Sequence, residues 1–170
     1  MTHSESNNNK DSQYLNSVRI SQSEIRLKSA LVRLEQQQAL KDLKTETFFN
    51  PMEDSEGPYD IDIRLADEKM FIEVTNRCGV ELQPIFFALK PYRKLIQDYF
   101  LIVESFEKAR LEGNTSRLEA IDMGRRGLHN EGAELLRSRL AQKVDMNIST
   151  ARRLFTLICI LCSGRRLLWL

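Results

Sequence analysis

The sequence has few of the features from which a function is usually inferred. Among its 170 residues there are three cysteines and two histidines, and the formal net charge is +1. An odd number of cysteines, behind a polar amino-terminus without an apolar leader, favours a reducing compartment over a disulfide-bonded secreted fold. A net charge this close to zero argues against a general polyanion binder, so nucleic acid is not an expected partner.

Long apolar runs are missing as well. The longest extends from Leu154 to Cys162 with one interruption, at Thr156. This run is far shorter than the roughly 20 residues that a membrane helix needs. We therefore expect a soluble, cytoplasmic protein that does not insert into a membrane.

Recognisable catalytic and cofactor motifs are also absent. The run GRRGLHNEG at 124–132 is neither a dinucleotide fingerprint nor a Walker phosphate loop, and no strand is predicted before it. No serine or cysteine has the neighbours of a known nucleophile. Cys159 and Cys162 have CxxC spacing, but they lie in an apolar helix without a second pair, which favours buried structural cysteines. His129 has no second histidine except His3 in the N-terminal tail, so we expect neither a metal nor a cofactor.

The composition that is present indicates one globular domain with two tails. An apolar fraction of 42% and a charged fraction of 29% are typical of a folded protein. Residues 1–13 are rich in asparagine and serine without periodicity, which predicts a disordered tail. Residues 14–162 form the predicted single α+β domain. Residues 163–170 form a C-terminal tail whose structure the sequence does not indicate.

Alternating apolar residues predict a small sheet. Strands are expected at 59–65, 70–74 and 80–89, joined by short turns into an antiparallel meander, with a weaker fourth strand at 14–20. Pro84 cannot donate a hydrogen bond to a neighbouring strand, so it marks an edge or a bulge.

Apolar residues at helical spacing predict about four helices. These are expected at 25–44, from Pro91 to about Gly113, at 116–142 and after Thr150. In the first helix, Leu31 and Leu34 are expected to face the core and Glu35 the solvent. The last helix is apolar on all sides, which places it in the middle of the fold. The predicted class is α+β, a three- to four-stranded antiparallel meander packed against about four helices.

One stretch, Ala120 to Leu136, concentrates the unusual side chains of the chain. Drawn as one helix at about 100° per residue, it places its leucines on a buried side, where Gly132 would allow another element to approach closely. Asp122, Arg125 and His129 fall on or beside the same side. Charged residues on the apolar side depart from the ordinary amphipathic pattern. Because polar groups removed from water need partners, we expect these three side chains to be paired.

Two interpretations of these three residues are open. In the first, Arg125 offers its guanidinium to a phosphate or carboxylate, Asp122 orients it, and His129 acts as an acid or base. In the second, the three residues form a buried ion-pair network that locks the helix to its neighbours. The other candidate ligand-binding residues are Arg126, Asn130, Glu131, Arg93 and Arg152.

Three segments of the chain resemble a known family. The segments PYRKLIQDYFLIVESF, AIDMGRRGLHNEGAELL and TARRLFTLICIL are similar to those of the uncharacterised bacterial family UPF0262, over about residues 15–162. The resemblance implies a bacterial cytoplasmic protein without an established activity, so it supplies no catalytic residue. The chain departs from the family at Cys162-Ser163, where members have a histidine and a tryptophan, in the tail from Gly164, and in a looser match before Leu34.

Two functions from different classes follow from these observations. Because no catalytic or cofactor motif is recognised, the first hypothesis is a non-enzymatic interaction or regulatory protein, with a protein partner or a second copy of itself. The alternative is an enzyme or binder of a small anionic ligand at the polar cluster of residues 122–131. Residues 121–170 carry nine Lys and Arg against four Asp and Glu, which is compatible with an anionic ligand.

Overall fold

A computed structural model describes residues 11–20, 30–45 and 47–163. Three sequence predictions lie outside the described residues: the disorder of residues 1–10, the start of the first helix at 25–29, and the tail 164–170. In chain order the described residues form β1 (Leu15–Ile20), α1 (Ala30–Asp42), β2 (Phe49–Pro51), β3 (Tyr59–Ala66), β4 (Lys69–Thr75), β5 (Ile85–Ala88), α2 (Arg93–Leu111), α3 (Thr115–Leu140), β6 (Val144–Met146) and α4 (Ile148–Ser163).

The predicted α+β fold with an antiparallel meander is confirmed. In the described residues, a four-stranded sheet has the order β1-β3-β4-β5, and β3, β4 and β5 pair antiparallel in sequence. The turn between β3 and β4 has positive φ angles at Asp67 and Glu68, as expected for a tight hairpin between twisted strands. In β3 the buried and half-buried residues alternate along the strand, so one face of the sheet is covered by helices.

The sheet differs from the prediction at both of its edges. β1 is paired with β3 in parallel, so the sheet is mixed and not purely antiparallel. A parallel pair needs a long crossover, which the chain between β1 and β3, including α1, supplies. At the other edge β5 is shorter than predicted, and it begins just after Pro84, which cannot continue the ladder. The preceding residues are joined to β4 by an isolated bridge between Thr75 and Glu81 and by a hydrogen bond from the backbone N–H of Leu82 to the carbonyl oxygen of Val74 at 2.9 Å.

α4 lies in the centre of the fold, as its apolar surface predicts. Every residue from Leu154 to Cys162 is buried. The helix packs against α1, α2, α3 and the strand β3. A helix surrounded in this way has no side left for solvent, which explains why no polar face interrupts its sequence.

α3 is one continuous helix, as predicted. Asn114 is its N-cap, and the Asn114 side chain accepts a hydrogen bond from the backbone N–H of Arg117 at 3.1 Å. Gly113 before it has a φ of +67°, which allows α2 to end and the chain to reverse. α2 and α3 thus form a hairpin of two packed helices.

The remaining strands, β2 and β6, pair antiparallel with each other and form a second, two-stranded sheet. It joins the connection before β3 to the segment between α3 and α4. Among the helices in the described part of the chain, none combines the length and the apolar character that crossing a bilayer requires.

Candidate functional site

α3 brings Asp122, Arg125 and His129 to the side that faces α1, α2 and α4. The three residues are three and four positions apart, which stacks them along one side of a helix. The structure therefore brings the predicted trio together. The residue that joins it to the other helices is Glu35 on α1, which the sequence did not indicate.

Glu35 is the point at which three helices meet. Its side chain is 7% exposed, and its carboxylate is contacted from two other helices. The hydroxyl of Tyr99 on α2 donates to Oε2 at 2.6 Å. Nη1 of Arg125 donates to Oε1 at 2.8 Å, and Nε2 of His129 lies 3.3 Å from the same oxygen.

The expectation that Glu35 faces solvent is therefore wrong, and so is the expectation that Leu34 belongs to the buried side of α1. Leu34 is 63% exposed, whereas Leu31, Val32, Glu35 and Ala39 are the buried residues of the helix. The spacing of Leu31, Glu35 and Ala39 by four is the signal that could have found the residue. This spacing was not recognised, because a glutamate on a helix is ordinarily assigned to the solvent-exposed side.

The guanidinium of Arg125 is held by two carboxylates at once. Nε and Nη2 donate to Oδ1 of Asp122 at 3.1 and 2.7 Å, while Nη1 donates to Glu35. All three of its nitrogens thus have a carboxylate partner. The Arg125 side chain is 24% exposed, so the network is closed on the side of α1 and still touches solvent on its outer side.

The ring of His129 is buried and is contacted through both nitrogens. Nε2 faces Glu35, and Nδ1 lies 3.4 Å from the hydroxyl of Thr156 on α4. That hydroxyl also donates to the carbonyl oxygen of Arg152 at 3.0 Å. The ring packs against the aromatic rings of Tyr99 and Phe155, with centroid distances of 5.7 and 6.1 Å.

The proton affinities follow from these contacts. Burial alone would raise the pKa of Glu35, but the hydrogen bond and attraction of His129, the Tyr99 hydroxyl and the charge of Arg125 outweigh it and lower this pKa below 4.5. The hydrogen bonds from Arg125 lower the pKa of Asp122. Burial, and then the neighbouring Glu35 carboxylate, raise the pKa of Tyr99 far above 10. The network thus combines ionised carboxylates with a protonated tyrosine and arginine near neutral pH.

The other candidate residues have partners of their own or lie on the surface. Arg126 is paired with the outer oxygen of Asp122 at 3.0 Å, so it extends the network into solvent. Arg152 donates to Oδ1 of Asn130 at 2.8 Å on the exposed side of α3 and α4. Glu131 is exposed, and Arg93 lies 3.9 Å from the carboxylate of Glu68.

Three surface cavities lined by described residues have volumes of about 310, 350 and 240 Å³. Their walls do not include Asp122, Arg125 or His129. Within the described ranges, no three histidine, cysteine, aspartate or glutamate side chains are grouped so that they could hold a metal ion. Whether the trio binds a ligand therefore stays a prediction.

Comparison with known proteins gives a consistent assignment. The chain matches the family described as "Uncharacterised protein family (UPF0262)" over residues 12–163. It is 45% identical over 123 residues to a UPF0262 protein of Rhizobium etli (strain CIAT 652), which covers 72% of this chain and 78% of that protein. A UPF0262 protein of Paramagnetospirillum magneticum is 46% identical over 134 residues, covering 79% and 85%. One of Xanthobacter autotrophicus is 42% identical over 148 residues, covering 86% and 90%.

No solved structure matches the chain. The names of these relatives state no activity, substrate or partner. The match spans β1 to the end of α4 and includes Glu35, Tyr99, Arg125 and His129. The chain belongs to the bacterial UPF0262 family.

Proposed function

We propose that this protein is a non-enzymatic interaction or regulatory protein of the bacterial cytoplasm, which acts by binding a protein partner or a second copy of itself. The observation that carries the proposal is the pairing inside the polar cluster. Arg125 gives all three guanidinium nitrogens to carboxylates of its own chain, and His129 is buried between Glu35 and Thr156. A general base has to reach a substrate proton, and a buried ring between two internal partners is poorly placed for that.

A surface feature supports binding of a macromolecule. The cavity of about 240 Å³ lies between the start of β5 and the loop before β6, and Met52 and Phe86 in its wall are more than half exposed. Glu53 and Lys143 contribute charge to the wall, and Lys143 lies 4.4 Å from the centre of the Phe86 ring. Exposed apolar patches bordered by polar groups often mark sites of protein interaction.

Activity measurements test the non-enzymatic part of the proposal. The purified protein is incubated with a panel of phosphorylated and carboxylated metabolites, and turnover is followed by mass spectrometry. We expect no turnover that saturates with substrate. Saturable turnover that is lost in a folded His129→Ala variant, and retained in Lys94→Ala on the exposed side of α2, would overturn this part.

The interaction part is tested at the cavity. A photo-crosslinking amino acid is placed at Phe86 in the living cell and, as the matched control, at Leu101, which is also exposed but lies on α2. We expect a discrete crosslinked species at Phe86 alone, with a partner that binds the purified protein and is lost in Phe86→Asp. Equal crosslinking at both positions, or a purified partner that binds Phe86→Asp unchanged, would contradict the assigned surface.

A further inference from the structure

The donors around Glu35 form the kind of site that recognises a carboxylate. Tyr99 donates to one oxygen at 2.6 Å, and Arg125 and His129 contact the other oxygen at 2.8 and 3.3 Å. All of these donors belong to the α2–α3 hairpin. Hydrogen bonds from an arginine and from a hydroxyl to a carboxylate are short and charge-assisted, and here they reach both oxygens of one carboxylate. The hairpin thus holds a carboxylate as a binding protein holds a ligand, and this ligand is a side chain of α1.

α1 packs chiefly against α4 along one side, where Leu40 and, directly after the helix, Leu43 also join the core. Apart from Glu35, its buried residues are Leu31, Val32 and Ala39, and Leu34 on its other side is exposed. Near its end, Asp42 is paired with Arg153 of α4 at 3.0 Å. A helix that buries one side only is expected to open more easily than the central helix α4, before the whole protein unfolds. When it opens, the α2–α3 hairpin loses the carboxylate of Glu35, and another carboxylate can replace it.

The outer part of the site is already accessible to solvent. Arg125 is 24% exposed, whereas Glu35 is 7% exposed, and Asp122 on the outer side is 38% exposed. An incoming carboxylate can therefore reach the guanidinium before Glu35 leaves. Exchange of one carboxylate for another keeps the charge of the buried site constant, which avoids leaving a buried cation without a partner.

We propose that Tyr99, Arg125 and His129 form a carboxylate-binding site that α1 closes with Glu35, and that a carboxylate-bearing ligand displaces this side chain. The ligand class is a carboxylate on an acidic protein segment or on a small organic acid. The inference is independent of the proposed function, because it concerns what the hairpin binds and not whether a reaction follows.

The first test removes the internal ligand. In Glu35→Ala, formate or acetate should bind in place of the missing carboxylate and raise the melting temperature with saturation. Sodium chloride at equal ionic strength should not. In Glu35→Ala with Arg125→Gln, the response should be at least about tenfold weaker, which corresponds to the loss of about one charge-assisted hydrogen bond. A folded Glu35→Ala variant that responds equally to chloride and to carboxylates overturns the site.

The second test uses the unaltered protein, so it does not depend on the folding of a variant. Hydrogen exchange is measured in α1 and in the central helix α4. Amides of α1 should exchange at least about tenfold faster than those of α4, as expected for a segment that opens by itself. If the amides of α1 exchange as slowly as those of α4, the proposed displacement of Glu35 is overturned.

The source of the carboxylate is decided by the added probe. A glutamate-rich peptide, succinate and citrate are each added to the unaltered protein, with a lysine-rich peptide as the control. If the peptide alone accelerates exchange of α1, the ligand is an acidic protein segment. If the small acids do so, the ligand is an organic acid. If none of the three probes accelerates exchange of α1 and calorimetry detects no binding, the inference is contradicted, without bearing on the proposed protein partner.

Discussion

Along the buried side of α3, the second half is apolar and closely packed, whereas the first half carries charge. From Gly132 to Leu140 this side consists of glycine, alanine and leucine. From Asp122 to His129 it presents a guanidinium and an imidazole to Glu35, together with the Asp122 carboxylate that contacts the same guanidinium from the outer side. The same helix therefore meets its neighbours through dry packing at one end and through ion pairs at the other.

The two halves contribute in different ways. Apolar packing gains stability in proportion to the area removed from water, and any loss of fit is costly. A buried ion pair balances Coulomb attraction against lost hydration, so its net contribution is small while its geometry is specific. We infer that the second half of α3 supplies stability, and that the first half determines where α1 docks.

The largest expected effect breaks the apolar half. Phe155 on α4 is fully buried and packs against Gly132 of α3. Phe155→Ala should lower the free energy of unfolding by about 3–5 kcal/mol, because a large cavity remains in the core. Met123→Ala, on the exposed side of the first half, should change it by less than about 0.5 kcal/mol. Urea unfolding followed by circular dichroism measures both, and similar losses would contradict the comparison.

A second change overfills the same contact. A Cβ atom at Gly132 would lie within 2.3–2.5 Å of three ring carbons of Phe155, whereas one at Gly127 would have no neighbour within 4 Å. Gly132→Val should therefore destabilise by about 3 kcal/mol, the upper part of the range for overpacked cores. Gly127→Val is the matched control and should be nearly neutral. Adding Phe155→Leu to Gly132→Val should recover part of the loss, and no recovery would place the strain elsewhere.

The packing of the apolar half of α3 could be predicted from the sequence, because it depends on residue patterns within single helices. A helix without a polar face has to be central, and α4 is. A glycine among leucines at helical spacing predicted a close approach at Gly132, which Phe155 makes. The β3–β4–β5 meander followed in the same way from alternation and turn residues.

The contacts of the polar half of α3 could be predicted from the sequence only in part. The sequence predicted that Asp122, Arg125 and His129 share one side of a helix, but it did not predict their common partner. Glu35 is 90 positions from Arg125, and a glutamate beside Leu34 is ordinarily assigned to solvent. The parallel pairing of β1 was missed for the same reason, since it depends on a contact between distant segments.

The pH dependence of stability in a Glu35 variant tests the contribution of the polar half. The pKa of Glu35 is lowered on folding, so its contribution to stability is complete above the ordinary value of 4.5 and is lost as the pH falls through the folded pKa. At pH 7, Glu35→Gln should cost about 1.5–3 kcal/mol, the contribution typical of hydrogen bonds to a charged group. Below the folded pKa, the difference from the unaltered protein should shrink.

The matched control for this pH profile is Glu131→Gln, which alters an exposed glutamate of α3. Its effect should stay within about 0.5 kcal/mol. Urea unfolding between pH 3 and 7 gives both profiles. A constant difference between Glu35→Gln and the unaltered protein over this range would show that the carboxylate does not titrate as its contacts require.

The smallest expected effect lies at the outer end of the polar half. Asp122 is 38% exposed and bridges Arg125 and Arg126, and ion pairs with this much solvent contribute only about 0–1 kcal/mol. Asp122→Ala should therefore cost less than Glu35→Gln at pH 7, because Arg125 keeps its buried carboxylate partner. Raising the salt concentration should reduce the loss further, since screening acts on exposed charges. A loss at Asp122 as large as that at Glu35, and insensitive to salt, would mean that the outer carboxylate and not the one on α1 holds the guanidinium in place.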